Sequence, residues 1–277
     1  VTKLYRNDGE GVFNDTNIEL ISVSNSSVAW GDYDNDTYLD ILITGFMMNG
    51  DPSSRVYHNN GNGSFTDINA GLIVGGLGSA EWGDYDNDGD LDILIAGEAP
   101  GSNYITKIYR NNGNNTFTDI AANLPGVYYG SASWGDYDND KDLDILVSGS
   151  CNGTASQIIT KVYRNNGNDV FTDINAALIN VYSSKVDWGD YDNDGDLDIL
   201  LSGLSNNGGP ETRYSVSRVY RNDGNGVFTD INANLISVFF GGVAWGDYDN
   251  DGDLDILITG QEDNSQQYYY TRIYRNE

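Results

Sequence analysis

Twenty aspartates carry most of the chemistry this chain can offer. They recur in five loops of pattern D-x-D-x-D-x-x-x-D: Asp32, Asp34, Asp36 and Asp40; Asp84, Asp86, Asp88 and Asp92; Asp136, Asp138, Asp140 and Asp144; Asp190, Asp192, Asp194 and Asp198; Asp247, Asp249, Asp251 and Asp255. Three alternating aspartates on a tight turn can point inward, and a fourth, four residues on, closes the shell. A backbone carbonyl, in the second loop that of Asp90, and water would supply the rest. Six to eight hard oxygens at ~2.3–2.6 Å are what Ca²⁺ takes, whereas Mg²⁺ keeps waters that four clustered carboxylates leave no room for. Up to five calcium ions, one per loop, are therefore expected. The sixth loop position turns sharply and suits glycine. Gly89, Gly195 and Gly252 comply, but Thr37 and Lys141 do not. The loops at Asp32 and Asp136 are accordingly expected to bind most weakly or to distort. Without metal each loop crowds like charges, which opposes folding, so the cation is expected to be structural.

Catalysis finds little support beside this. A hydrolase reading of the carboxylates fails because every one belongs to the repeat, and a catalytic site breaks symmetry. The lone His58 falls where other copies have Arg6, Arg110 and Arg164, which reads as a surface strand position. Cys151, in the variable stretch 149–160, reads as an unpaired bystander, and a single cysteine excludes both an internal disulfide framework and a thiolate zinc cage. No phosphate-cradling glycine loop and no G-x-S-x-G occurs. The chain is not expected to be an enzyme. Its 42 acidic against 14 basic residues give a net charge of −28, which repels nucleic acid. No apolar run approaches the ~18 residues of a membrane span. Eleven of the 14 basic residues lie in one recurring strand, as in Lys107-Ile108-Tyr109-Arg110. They are expected to bridge carboxylates of neighbouring sheets rather than form a cationic patch.

The elements that hold these loops repeat with them. Trp-Gly-Asp-Tyr-Asp-Asn-Asp recurs at Trp30, Trp82, Trp134, Trp188 and Trp245, spaced 52, 52, 54 and 57 residues apart. Each copy continues through Leu-Asp-Ile-Leu, a variable loop, a Tyr-Arg-Asn strand and a Phe-Thr-Asp-Ile strand or its variant. All four segments have the alternation of short strands. In the second, Leu91, Ile93 and Ile95 would lie on one face and Leu94 and Ala96 on the other. A strand apolar on both faces needs a sheet packed on each side. Four-stranded antiparallel sheets arranged radially are the blades of a β-propeller, so an all-β, single-domain propeller across 1–277 is expected. The aromatic repeats read first as blade packing.

The repeats also resemble a known family. Residues 83–95, Gly-Asp-Tyr-Asp-Asn-Asp-Gly-Asp-Leu-Asp-Ile-Leu-Ile, are similar to the FG-GAP or VCBS-type repeats of integrin-α-like propellers. The acidic loop also opens like an EF-hand, but its twelfth position is Ile95 rather than Glu and it sits between strands. The family resemblance covers essentially the whole chain. It implies a calcium-loaded extracellular propeller used for adhesion or ligand binding, commonly with seven blades where this chain has five copies.

The ends are asymmetric. There are six Tyr-Arg-Asn strands, at Tyr5, Tyr57, Tyr109, Tyr163, Tyr220 and Tyr274, against five Trp and five Phe strands. The last copy lacks its Phe strand. The N-terminal strands within 1–17 are expected to complete either that blade or a neighbouring molecule's, the latter giving a head-to-tail polymer; a portion of a longer propeller is the third reading. Sequons at Asn14, Asn25, Asn62, Asn114 and Asn152, with a sixth at Asn35 inside a metal loop, fit a glycosylated surface protein, and a start at Val1 fits a mature secreted product. The expected function is a non-catalytic extracellular structural or adhesive module, able to serve as a fibre subunit and to bind protein or glycan ligands through variable loops such as 46–54, 98–104, 204–214 and 261–267. The alternative is a lectin gripping sugars with Tyr128, Tyr129, Tyr268 and Tyr269.

Overall fold

A computed structural model describes residues 1–73, 76–206, 213–263 and 268–277. Parts of the variable loops 204–214 and 261–267 lie outside the described residues. The described chain is all β, five antiparallel blades in sequence order. Blade 1 is β3 (Ser24–Gly31), β4 (Asp40–Phe46), β5 (Pro52–Asn59) and β6 (Phe65–Asp67). Blade 2 is β7 (Ser79–Gly83), β8 (Asp92–Ala99), β9 (Asn103–Asn111) and β10 (Phe117–Asp119). Blade 3 is β11 (Tyr128–Gly135), β12 (Asp144–Ser150), β13 (Ile158–Asn165) and β14 (Phe171–Asp173). Blade 4 is β15 (Tyr182–Gly189), β16 (Asp198–Asn206), β17 (Arg213–Asn222) and β18 (Phe228–Asp230). Blade 5 has β19 (Phe239–Gly246), β20 (Asp255–Gln261) and β21 (Tyr269–Tyr274), with no fourth strand among the described residues. β1 (Tyr5–Asn7) and β2 (Phe13–Asp15) pair only with each other.

The two-faced second strand behaves as its sequence requires. Ile93, Leu94 and Ile95 are all sealed, because each face packs on a different blade. Leu94 and Ile108 of blade 2 meet Ile145, Val147 and Tyr163 of blade 3. Leu42 and Val56 meet Ile93 and Tyr109 one blade earlier, and Leu146 and Val162 meet Ile199 and Tyr220 one blade later. Each such seam is closed at its loop end by aromatic stacking. Tyr33 lies parallel to Trp82 at 5.8 Å, Tyr85 to Trp134 at 6.1 Å, Tyr137 to Trp188 at 6.5 Å and Tyr191 to Trp245 at 6.2 Å. Four of the five glycines that follow a tryptophan leave room for this fit. A Cβ at Gly31, Gly83, Gly135 or Gly189 would meet the next blade's indole at 2.6–2.7 Å.

The link between blades is fixed by a tyrosine hydroxyl. Ile21, Ile73, Ile179 and Ile236 donate their backbone N–H to Tyr57, Tyr109, Tyr220 and Tyr274 at 2.7–3.0 Å. The third copy has Pro125 at this place, and proline has no N–H to give.

The basic strand differs from expectation. Arg55, Lys107, Lys161 and Arg218 pair with Asp67, Asp119, Asp173 and Asp230, on the fourth strand of the same blade. Lys3 does the same with Asp15 across the N-terminal pair. The reason is register: Tyr57 faces Asp67 in the ladder, and the basic residue two before the tyrosine reaches that aspartate more easily than the next blade. Among the described residues the ion pairs between blades are Arg110 with Asp169 and, at 4.0 Å, Arg213 with Asp263.

The two outer faces of the series are open. Leu257 and Ile273 of blade 5 are 42% and 59% exposed, although their counterparts Leu200 and Val219 are sealed. On blade 1, Val28 and Trp30 are 62% and 52% exposed. The N-terminal pair covers the outer half of that blade-1 face, where Leu4 packs with Ile41 and Tyr57.

Candidate metal centres

The sharp loop turn forms in every copy. The sixth position has φ of 77° at Thr37, 93° at Gly89, 79° at Lys141, 94° at Gly195 and 98° at Gly252. Thr37 and Lys141 thus take the left-handed conformation their neighbours reach with glycine. For a β-branched threonine that conformation is strained.

Each aspartate has a distinct job. The first (Asp32, Asp84, Asp136, Asp190, Asp247) accepts the amides four and five residues on, at 2.9–3.1 Å, and so winds the loop. The third (Asp36, Asp88, Asp140, Asp194, Asp251) accepts the amide two residues on. The fourth (Asp40, Asp92, Asp144, Asp198, Asp255) opens the second strand, fully buried. It takes the amide of the loop tyrosine on one oxygen and that of the third-strand asparagine on the other, at 2.7–3.2 Å. Burial pushes Asp92, Asp144 and Asp198 up to about 7.

The second aspartate is the one left wanting. Asp34 Oδ1, Asp138 Oδ1 and Asp249 Oδ1 are buried and hydrogen-bonded to nothing. Burial, then the neighbouring aspartates, raises the pKa of Asp34, Asp86, Asp138 and Asp192. A buried acceptor without a donor is costly, and a hard cation satisfies it. Oxygen atoms of Asp32, Asp34 and Asp36 lie within 4.8 Å of one another, as do those of Asp84, Asp86 and Asp92, of Asp136, Asp138 and Asp144, and of Asp190, Asp192 and Asp194. These residues fit a divalent metal.

Two features of the loops were not singled out from the sequence. The asparagine at the fourth position binds each loop to the next: Asn35, Asn87, Asn139 and Asn193 donate to Asp90, Asp142, Asp196 and Asp253 at 2.8 Å. Its invariance among the copies was the available signal, and a glycan on Asn35 would break the first link. His58 is not merely a surface strand residue. Its Nδ1 lies 3.1 Å from Asp34 and 3.4 Å from Asp40, in the first loop.

The inner strands meet around a central channel. At one register each turns left-handed, at Asn25, Leu77, Tyr129, Ser183 and Phe240, and these residues share one mouth of about 210 Å³. Tyr129 meets Phe240 at 5.3 Å and Tyr128 at 4.2 Å, and Tyr128 meets Tyr104 at 4.9 Å. Tyr268 and Tyr269 are exposed elsewhere, on blade 5. Two unrepeated acids line the inner strands. Glu81 accepts Ser133 Oγ and the Trp134 amide at 3.1 Å, and Asp187 accepts the Trp245 amide at 3.3 Å. Both staple one blade to the next. Only their departure from the small residues in other copies marked them.

The remaining candidates are unactivated or superficial. Burial raises the Cys151 thiol, the opposite of what a nucleophile needs. Asn14, Asn25, Asn62, Asn114 and Asn152 are all exposed. No helix among the described residues is long and apolar enough to cross a membrane.

Similar solved structures include a glycoside hydrolase (TM-score 0.44, 7% identity, covering 94% of this chain and 91% of that one). A fructofuranosidase from Schwanniomyces occidentalis complexed with fructose also aligns (0.41, 10%, 84% and 53%). Likeness of that order carries no functional information. No curated protein matches the chain. The FG-GAP-like repeat model, by contrast, matches residues 45–95, 84–147, 149–201 and 204–258, well over half of the sequence, each match running from one blade into the second strand of the next, and the chain belongs to that repeat family.

Proposed function

We propose that the protein is a non-catalytic, calcium-stabilised extracellular propeller serving as a structural or adhesive module, with copies of itself among its partners. The observation that carries the calcium role is the orphaned oxygen of the second aspartate, repeated at Asp34, Asp138 and Asp249. Calcium there would supply the missing partner and offset the repulsion of clustered carboxylates. It would also brace the Asn-linked row of loops, and millimolar extracellular calcium suits modest-affinity sites. Melting in calcium and in EGTA tests this. At a thousandfold excess over the dissociation constant each bound ion adds about 4 kcal/mol, so a large fall in midpoint is expected in EGTA. Equal midpoints would reject the reading.

A carbohydrate-binding role is the second reading, favoured by Tyr129 and Phe240 at the channel mouth, from which Tyr128 and Tyr104 continue the row of ring contacts. Pyranose faces stack on such rings. A glycan array separates the two readings: binding lost in Tyr129→Ala supports the lectin, and a clean array with intact protein removes it.

A further inference from the structure

We infer that the open face of blade 5 docks on the open face of blade 1 of a second copy, and that β21 of the first copy there displaces β1 of the second to pair with its β2. The inference rests on the head-to-tail part of the proposed function and names its contact.

The internal seams supply the pattern. Each needs a tyrosine and a glycine on the trailing blade and a tryptophan on the leading one. Blade 5 presents the first half unused. Tyr248 is 56% exposed, and a Cβ on Gly246 would meet nothing within 4 Å. Blade 1 presents the second half unused in Trp30, which touches Phe65 but no tyrosine from a preceding blade. A cleft of about 730 Å³ lies between Trp30 and the N-terminal pair, where the loop tyrosine of a preceding blade would stand. The chain does not bring its own blade 5 there.

The strand exchange follows from matched sequence and unmatched charge. Tyr274-Arg275-Asn276 repeats Tyr5-Arg6-Asn7, and β2 already takes that triplet in the register Tyr5 to Asp15, Arg6 to Asn14 and Asn7 to Phe13. Arg272 occupies the place of Arg55, Lys107, Lys161 and Arg218, each paired with a fourth-strand aspartate. Among the described residues Arg272 has no carboxylate partner and rests over the Tyr270 ring. Asp15 of the second copy's β2 would supply one. β1 is short and exposed along its length, whereas β21 is held to β20 by six paired residues, so β1 is the strand that yields. Contact of this kind is heterologous, and it grows into a filament unless the rotation closes.

Sedimentation velocity in calcium tests the inference with the full chain. Wild type is expected to show a concentration-dependent ladder of masses. Gly246→Leu, at a solvent-open position, and Trp30→Glu, at the other face, should each be folded monomers. Mixed one to one they should form a dimer and nothing larger, because each retains the face the other has lost. Gly246→Ala should weaken assembly roughly tenfold, about 1.4 kcal/mol, leaving the melting midpoint of the monomer unchanged. A wild type that stays monomeric at all concentrations, or variants that associate without each other, would overturn it. The proposed calcium role is read separately, since a monomer whose midpoint still drops in EGTA keeps that role and loses only the docking.

Discussion

Leu200 and Leu257 occupy the same register of consecutive blades, in identical Leu-Asp-Ile-Leu contexts, yet one is sealed and the other is 42% exposed. The same holds for Gly189, pressed against Trp245, and Gly246, which faces open space. The difference lies wholly in whether another blade follows. In a repeat array each unit's core is half its neighbour's, so hydrophobic stabilisation belongs to the seams and not to the blades. The apolar face left open on blade 5 is what the proposed docking would cover.

The sharpest way to break this contrast is a pair of truncations. Leu200→Ala, cutting into a sealed seam, is expected to cost about 2–5 kcal/mol. Leu257→Ala in monomeric protein should cost under about 1 kcal/mol, as surface changes do. Chemical denaturation measures both, and equal losses would mean that the blade 5 face is covered in solution.

The loop ends of the seams give a second test, through pH. Asp92, Asp144 and Asp198 are pushed up to about 7 from an ordinary value of 3.8 by burial. Between those limits the folded, metal-free protein binds more protons than the unfolded chain, so its stability must fall as pH rises. Metal-free protein is therefore expected to melt at a higher temperature near pH 5 than near pH 7, and calcium should abolish or reverse that slope. A flat profile without metal would show these carboxylates to be better compensated than their burial implies.

The smallest effect separates the first loop from the second. Thr37 holds at φ 77° a turn that Gly89 makes freely. Relief of ~1–3 kcal/mol of strain, less the ~0.5–1 kcal/mol entropy penalty of glycine, leaves Thr37→Gly stabilising by about 1 kcal/mol, with tighter calcium binding in calorimetry. Gly89→Thr should do the reverse.

Repeat period, strand count per copy, the two-faced second strand and the loop aspartates could all be read from the chain, because each depends on residues close in sequence: alternation, turn chemistry and the reach of one side chain to an amide two to five residues away. The tie from one loop's asparagine to the next loop's aspartate, the pairing of Arg55 with Asp67 inside its own blade, the place of His58 beside Asp34 and the convergence of Tyr129 and Phe240 on the channel were decided only in three dimensions. Those contacts depend on the angle at which successive sheets stack. Local pattern leaves that angle free, and the packed seams set it: leucine and isoleucine between second strands, indole on tyrosine and glycine, and the asparagine ties between loops.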